Sequence, residues 1–340
     1  MKKTALGPKE LLSLVISGLF LIVLAVSIFL IAPISFEEKW SEVKIPEGAA
    51  FSEALDIIRD AGIMDNTLPL LLLGKLTAKE KHLQPGYYNL SSSMSPLQIF
   101  SDLIEGRTIT YSVTIPEGTS LKGIHTRFSE VGLVDKESWQ LVYDREFLDS
   151  LSIEAPSLEG YLYPDTYNFA KGTDPKTIMK IMVQRMREQF TVPLQSRAIE
   201  LGLSENEVLT LASIIEKEAI YDSERPIISA VYHNRLEKNM RLQADPTVLY
   251  GVKKRWIRIR YRDLKRKTPY NTYIIKGLPP GPIASPSIKS IEAALYPADV
   301  DYLFFVAKND GRHYFSTTNA EHTKAVVKYQ LNGFNKFDKN

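Results

Sequence analysis

The hydrophobic pattern separates the chain into zones. No charged residue occurs from Leu11 to Phe36, and the apolar run Leu11–Pro33 is long enough to cross a bilayer as a helix, which takes about 20 apolar residues. No later stretch regains that character. Val43-Lys44-Ile45 then alternates as a half-buried strand. Phe51, Ala54, Leu55 and Ile58 recur at the spacing of one helical face, and Ala61-Gly62 stops that helix. The pattern next predicts an apolar helix over Leu68–Leu76, a turn at Pro85-Gly86 and a strand over Tyr87–Leu90. A further helix over Ser95–Glu105 has Ser95 as its N-cap and Gly106 as its stop.

The opening unit is echoed. Val43-Lys44-Ile45-Pro46-Glu47-Gly48 returns as Val113-Thr114-Ile115-Pro116-Glu117-Gly118, followed by Leu121, Ile124 and Phe128 on one face and then Val131-Gly132-Leu133. Each copy reads as strand, turn, short helix and glycine stop. Two copies do not make a solenoid, which needs about three repeats; they open neighbouring domains. Residues 41–106 form a small α/β module, too short for an enzyme of its own. Residues 111–338 form a larger mixed α/β domain that holds most of the residues capable of chemistry. The expected fold class is α+β, with a single N-terminal transmembrane helix over residues 11–33.

Charge sets the orientation of that helix. Lys2, Lys3 and Lys9 precede the apolar run, and Glu37, Glu38, Lys39 and Glu42 follow it. The basic flank stays in the cytoplasm, so residues 1–10 are a cytoplasmic tail and the body lies outside the cell membrane. A cleaved signal peptide has a shorter apolar region of about 7–15 residues and a small-x-small site, and Ile31-Ala32-Pro33-Ile34-Ser35-Phe36 offers no such site.

Composition removes several function classes. Lys+Arg number 42 against 40 Asp+Glu, a net charge of +2, which gives no whole-chain case for nucleic acid. Cysteine is absent, which excludes disulfides, Cys-ligated zinc, iron–sulfur clusters and a thiol nucleophile. The five histidines form no H-E-x-x-H or H-x-H pattern, and no Gly-rich phosphate loop or G-x-S-x-G elbow occurs, so neither metal nor cofactor is expected. One stretch is locally basic, Lys253–Lys267, with Trp256 and Tyr261 interleaved. It reads either as a solvated loop or as a contact for anionic lipid headgroups or wall polymer.

The strongest local signal is the helix Glu205–Ile220. Ser204 and Glu207 form a capping box, and Val208, Ala212, Ile215 and Ala219 form its core stripe. Lys217 points away from the stripe, and Glu216 and Glu218 fall on its opposite shoulders. A carboxyl at the edge of an apolar surface is partly desolvated and keeps its proton nearer neutrality, as a glycosidase-type acid requires. Periodicity does not choose between the two glutamates, and both also read as ordinary surface residues flanking a lysine. Ser213 and Lys217, at i and i+4, are formally a Ser/Lys dyad, though a serine inside a regular helix is poorly exposed.

Polar-aromatic and Pro/Gly segments gather in the same domain: Leu158–Tyr167, Arg241–Gly251, Tyr270–Tyr273, Gly277–Pro286, and a late strand Tyr302–Ala307 leading to His313–Ser316. They place amides, hydroxyls and aromatic faces on rigid loops, groups that suit sugars; rigid turns alone would use the same residues.

Taken in order, L-E-G-Y-L-Y-P-D-T-Y, A-S-I-I-E-K-E-A, L-Q-A-D-P-T-V-x-Y-G, Y-N-T-Y and G-L-P-P-G-P-I resemble the YceG-like family of membrane-anchored endolytic murein transglycosylases. The resemblance covers nearly the whole chain. It implies a LysM-like, peptidoglycan-binding module over residues 41–106 and a catalytic domain over 111–338. The implied reaction cuts the MurNAc-GlcNAc bond inside nascent glycan strands, leaves 1,6-anhydro-MurNAc ends and terminates strand elongation. It implies that Glu218, the second carboxylate of E-K-E, is the catalytic acid and that Glu216 supports it. The substrate's own N-acetyl group, Asp245 or Glu159 is a candidate to stabilise positive charge at the anomeric carbon, and Gln243, Asn271 and Tyr273 are candidates to position the sugar. The expected partners are peptidoglycan strands, the cell membrane, penicillin-binding proteins and other wall-elongation proteins, with no nucleic acid. The competing reading is an anchored, non-catalytic scaffold that holds peptidoglycan for the synthases.

Overall fold

A computed structural model describes residues 7–252 and 259–331. Lys2 and Lys3, the Lys253–Arg258 part of the basic stretch and the end of the expected 111–338 domain lie outside the described residues. The chain forms a mixed α+β structure of two compact units. The first takes in the chain up to Tyr111 and Asn168–Thr173; the second holds Ser112–Tyr167 and the chain from Asp174 onward.

The first unit begins with helix α1 (Pro8–Ile31), which is long and apolar enough to cross a membrane and buries none of its residues. It starts three residues before the uncharged run because Pro8 occupies a first-turn position, where its missing N–H costs nothing. Strand β1 (Trp40–Ile45), helix α2 (Phe51–Asp60), helix α3 (Leu68–Thr77), strand β2 (Gly86–Ser91) and helix α4 (Pro96–Glu105) follow. β1 and β2 pair antiparallel with Val43 opposite Tyr88 and Ile45 opposite Gly86. Alternation puts Val43, Ile45, Tyr88 and Leu90 on the inner face, where Phe51, Leu55 and Ile58 of α2 and Ile99, Phe100 and Leu103 of α4 close over them. Complete burial of one such side chain contributes about 1.5–3 kcal/mol. Ser95 accepts the amide of Gln98 while Gln98 accepts that of Ser95, the expected start of α4. The segment after α1 is stitched to this module: Ile34 donates to Met94 O at 3.2 Å and Ser35 to Ser92 O at 2.8 Å.

Strand β3 (Thr110–Thr114) pairs with strand β4 (Thr166–Ala170). Between them lie helices α5 (Leu121–Glu130) and α6 (Arg145–Ser150). The echoed turn is built alike in both copies. Gly48 and Gly118 both take left-handed φ, +76° and +69°, and Ala49 and Thr119 both donate to the carbonyl of the proline three residues back at 3.3 Å.

The second unit continues through helices α7 (Pro175–Gln189), α8 (Val192–Glu200), α9 (Glu205–Glu218), α10 (Arg225–Glu237), α11 (Asp245–Leu249), α12 (Tyr261–Leu264) and α13 (Ile288–Leu295). It ends with strands β5 (Phe304–Ala307) and β6 (His313–Ser316), an antiparallel hairpin, and helix α14 (Asn319–Val326). Helix α9 corrects the expectation of a one-sided stripe. Every residue from Val208 to Ile215 is buried, because α8, α10, α11 and α13 surround it. A helix apolar on all sides belongs inside a core. It also ends earlier than Ile220: Ala219 is extended (φ −81°, ψ 127°), which makes Glu218 the last helical residue.

Candidate active site

A cavity of about 1050 Å³ opens in the second unit, and Glu218, Glu159 and Asp245 all line it. Three separate segments deliver them. Glu218 arrives at the C-terminal end of α9, where the chain leaves the helix. Asp245 is the first residue of α11. Glu159 sits in the loop before β4, on a turn whose Gly160 has φ +81° and lies so close to Pro282 that a β-carbon would come within 2.4 Å of it.

Glu218 is half-buried, with its open edge on the cavity. Removal from water pushes its pKa up to about 8, and the nearby Asp245 charge pushes the same way. The Tyr232 phenol, which donates to Oε1 at 3.3 Å, the Arg235 guanidinium and the Asp245 amide pull it down. Tyr232 is itself fully buried, with its ring edge-on to Phe305. Arg235 is fixed by bonds to Leu303 O (2.7 Å) and Leu242 O (2.6 Å).

Glu159 is 2% exposed. Burial pushes its pKa up to about 7 against the opposing pull of the Leu121 amide, bound to Oε1 at 2.9 Å, and the Tyr250 phenol, bound to Oε2 at 3.0 Å. The Tyr250 ring packs on Tyr270 at 4.5 Å between centroids, and Tyr250 and the exposed Tyr143 give the cavity an aromatic wall. Asp245 remains exposed, and the Tyr273 phenol donates to its Oδ1 at 2.6 Å.

The remaining expected residues fall elsewhere. Glu216 does not line the cavity. Its carboxylate accepts the amide (2.9 Å) and hydroxyl (2.5 Å) of Ser287, the N-cap of α13, and pairs with Arg225 at 3.3 Å; both charged side chains are less than a tenth exposed. It ties α9 to α10 and α13. Asn271 is fully buried, and its amide donates to Leu264 O (3.0 Å) and Arg266 O (2.8 Å) while its oxygen accepts the Tyr273 amide (3.0 Å). It shapes the Y-N-T-Y turn. Gln243, exposed and with φ +48°, leads into α11, and its amide donates to Thr272 O at 3.2 Å. A pair of threonine hydroxyls, Thr247 and Thr272, 2.9 Å apart, joins those two segments.

Ser213 is as inaccessible as its place inside a regular helix implied: it is fully buried, its hydroxyl donates to Thr210 O at 2.7 Å and it accepts the Ile283 amide at 3.0 Å. One further expectation needs correction. The aromatic-rich loop Leu158–Tyr167 is mostly core, since Leu158, Tyr161, Leu162, Tyr163 and Tyr167 are all buried. Only Glu159 of that loop lines the cavity. Tyr232, Tyr250 and Tyr143 were not singled out from the sequence. Tyr232 lies 14 residues beyond Glu218 on a different helix, and no local pattern pairs them.

Among known proteins, the profile of the YceG-like family matches residues 43–328. The chain belongs to the YceG-like family. Relatives include an endolytic murein transglycosylase of Bacillus subtilis, 34% identical over an alignment of 321 residues that covers 88% of each chain. An endolytic murein transglycosylase of Streptococcus pneumoniae is 30% identical over 328 residues; the match covers 86% of this chain and 59% of that longer one. A crystal structure of a protein described as yceG-like from Listeria monocytogenes superposes with a TM-score of 0.58 at 37% identity, covering 85% of this chain and all of the other.

Proposed function

We infer that this YceG-like protein is a lytic transglycosylase that cuts peptidoglycan glycan strands internally. The observation that carries the reading is Glu218: a carboxyl that keeps its proton to about pH 8 on the wall of a cavity large enough for more than one sugar ring. The names of the relatives support it. In this reaction Glu218 donates its proton to the glycosidic oxygen between MurNAc and GlcNAc. The resulting carboxylate then takes the proton of the muramyl C6 hydroxyl as that oxygen closes on its own anomeric carbon, giving a 1,6-anhydro end. One group serves as acid and then base, so no second carboxylate is needed to activate water. Asp245, exposed at the same cavity and held by Tyr273, is the better placed carboxylate to face positive charge at the anomeric carbon. Glu159 already accepts two hydrogen bonds and is more deeply desolvated. Glu216 supports the site from behind by fixing the end of α9.

The small module is proposed to be LysM-like and to bind glycan. A second cavity, of about 520 Å³, is lined there by Gly48, Ala50, Phe51 and Ser52 of the echoed turn, the counterparts of Gly118, Ser120, Leu121 and Lys122 that line the main cavity. Helix α1 is proposed as a single-pass anchor with its N-terminus in the cytoplasm and the catalytic unit outside. There the enzyme would meet nascent strands beside penicillin-binding proteins and end their elongation.

Digestion of purified murein sacculi tests the reading. Mass analysis of the products is expected to find 1,6-anhydro ends. Reducing ends would mean hydrolysis, and no soluble product would favour the non-catalytic scaffold.

A further inference from the structure

Among the described residues, Lys122 and Lys217 supply the cationic side chains that line the main cavity. A lysine beside carboxylates ordinarily pairs with one of them, yet neither lysine makes an ion pair among the described residues. Lys217 stands between Glu216 and Glu218 in sequence. Glu216 is already held by Arg225 and Ser287, and Glu218 by Tyr232. The Lys217 ammonium turns to the carbonyl of Gly118 at 3.2 Å, and its stem lies along that glycine. One of its three protons is thereby used and two are left. Lys122, in the first turn of α5, is exposed on the same wall. Neither ammonium is therefore held in an ion pair by the cavity's own acids, and both have protons left to offer a ligand.

A glycan backbone has no charge for these ammonium groups to meet. In a stem-bearing strand the lactyl carboxyl of the muramyl ring is consumed in the amide that carries the peptide, so the carboxylates of the strand belong to that peptide. We propose that Lys122 and Lys217 form a carboxylate-binding subsite for the peptide stem that branches from the muramyl ring. The inference rests on the cavity being the murein-cleaving site. It makes the enzyme select strands that still carry stems over strands from which an amidase has removed them. Lysine suits this task, because a mobile point charge follows a flexible peptide better than a fixed guanidinium fork.

The test uses the full chain in detergent with two substrates: stem-bearing strands, and amidase-stripped strands that carry a free lactyl carboxylate. The K122Q/K217Q variant is expected to lose about tenfold in kcat/KM on stem-bearing strands, roughly threefold per lysine, entering through KM. The preference for stem-bearing over stripped strands is expected to fall by the same factor, and K122R/K217R is expected to restore most of it. An equal loss on both substrates, or no loss on either, overturns the proposal. A larger loss on stripped strands overturns it in favour of the lactyl carboxylate. A binding arm separates this proposal from the cleavage reading. If the wild-type protein cleaves neither substrate, that reading falls, and calorimetry with a soluble disaccharide-tetrapeptide and its fully amidated analogue still decides. Tighter binding of the acidic form, abolished in K122Q/K217Q, supports the subsite; equal binding of both forms sinks it.

Discussion

Replacing Glu218 by glutamine separates its chemistry from its burial. The amide keeps the shape of the side chain and can still accept the Tyr232 hydrogen bond, but it has no proton to donate. Cleavage is expected to fall by about 10²–10⁴-fold. The stability effect has the opposite sign. The folded-state pKa of Glu218 is raised from 4.5 to about 8, so the folded protein binds the proton more tightly than the unfolded chain. Its stabilising contribution is complete below about pH 4.5 and is lost as pH rises through about 8. At about 1.4 kcal/mol per unit, the full shift corresponds to about 5 kcal/mol. The carboxyl keeps an edge open to cavity water, which screens part of that, and about 2–3 kcal/mol is the expected cost of ionising it in place. Glutamine does not ionise. Glu218→Gln is therefore expected to melt within a few degrees of wild type near pH 5, and about 5–10 °C above it at pH 9. Thermal melts of both proteins from pH 5 to 9, run beside the sacculus digestion, measure this. A variant that melts in parallel with wild type across the whole range would show that Glu218 is solvated. If it also keeps its activity, the acid lies elsewhere.

The two neighbours of Glu218 are expected to move its titration in opposite directions. Tyr232→Phe removes a hydrogen bond to the charged form and shifts the alkaline limb of the activity profile upward, whereas Asp245→Asn removes a repelling charge and shifts it downward; pH–rate profiles that move together would refute the assignment. Glu216→Gln takes from the buried Arg225 its buried carboxylate partner and leaves it the exposed Asp222 at 3.1 Å. It is expected to cost about 3 kcal/mol of stability by denaturant melt, with cleavage per folded molecule largely kept, and a dead but equally stable protein would place Glu216 in the chemistry. Gly160→Ala puts a β-carbon 2.4 Å from Pro282 on a backbone with φ +81°. It is expected to lower the melting temperature and displace Glu159 together, and a variant with wild-type stability would show that the turn tolerates a side chain.

What the amino-acid order determined by itself is what depends on near neighbours. The capping boxes at Ser95 and Ser204 close over three residues, the inward set of β1 follows the period of two, and the echoed Ile-Pro-Glu-Gly turn needs only its own glycine at positive φ. The uncharged run of α1 is equally local, and the motif order was enough to point to the YceG-like family. Tertiary structure decided the rest. An apolar stripe was legible on α9, but only its contact with four other helices buries it on all sides. Glu216 and Glu218 look equivalent on a helical wheel. They diverge because Ser287, 71 residues away, and Arg225 claim the first, whereas the helix stops at the second and leaves it facing a cavity. All three tyrosines of the Leu158–Tyr167 loop pack into the core, and an isolated loop carries no sign of which side chains the core will take. The raised pKa of Glu218 is a tertiary property too. It comes first from desolvation, and desolvation depends on every element that closes around the carboxyl.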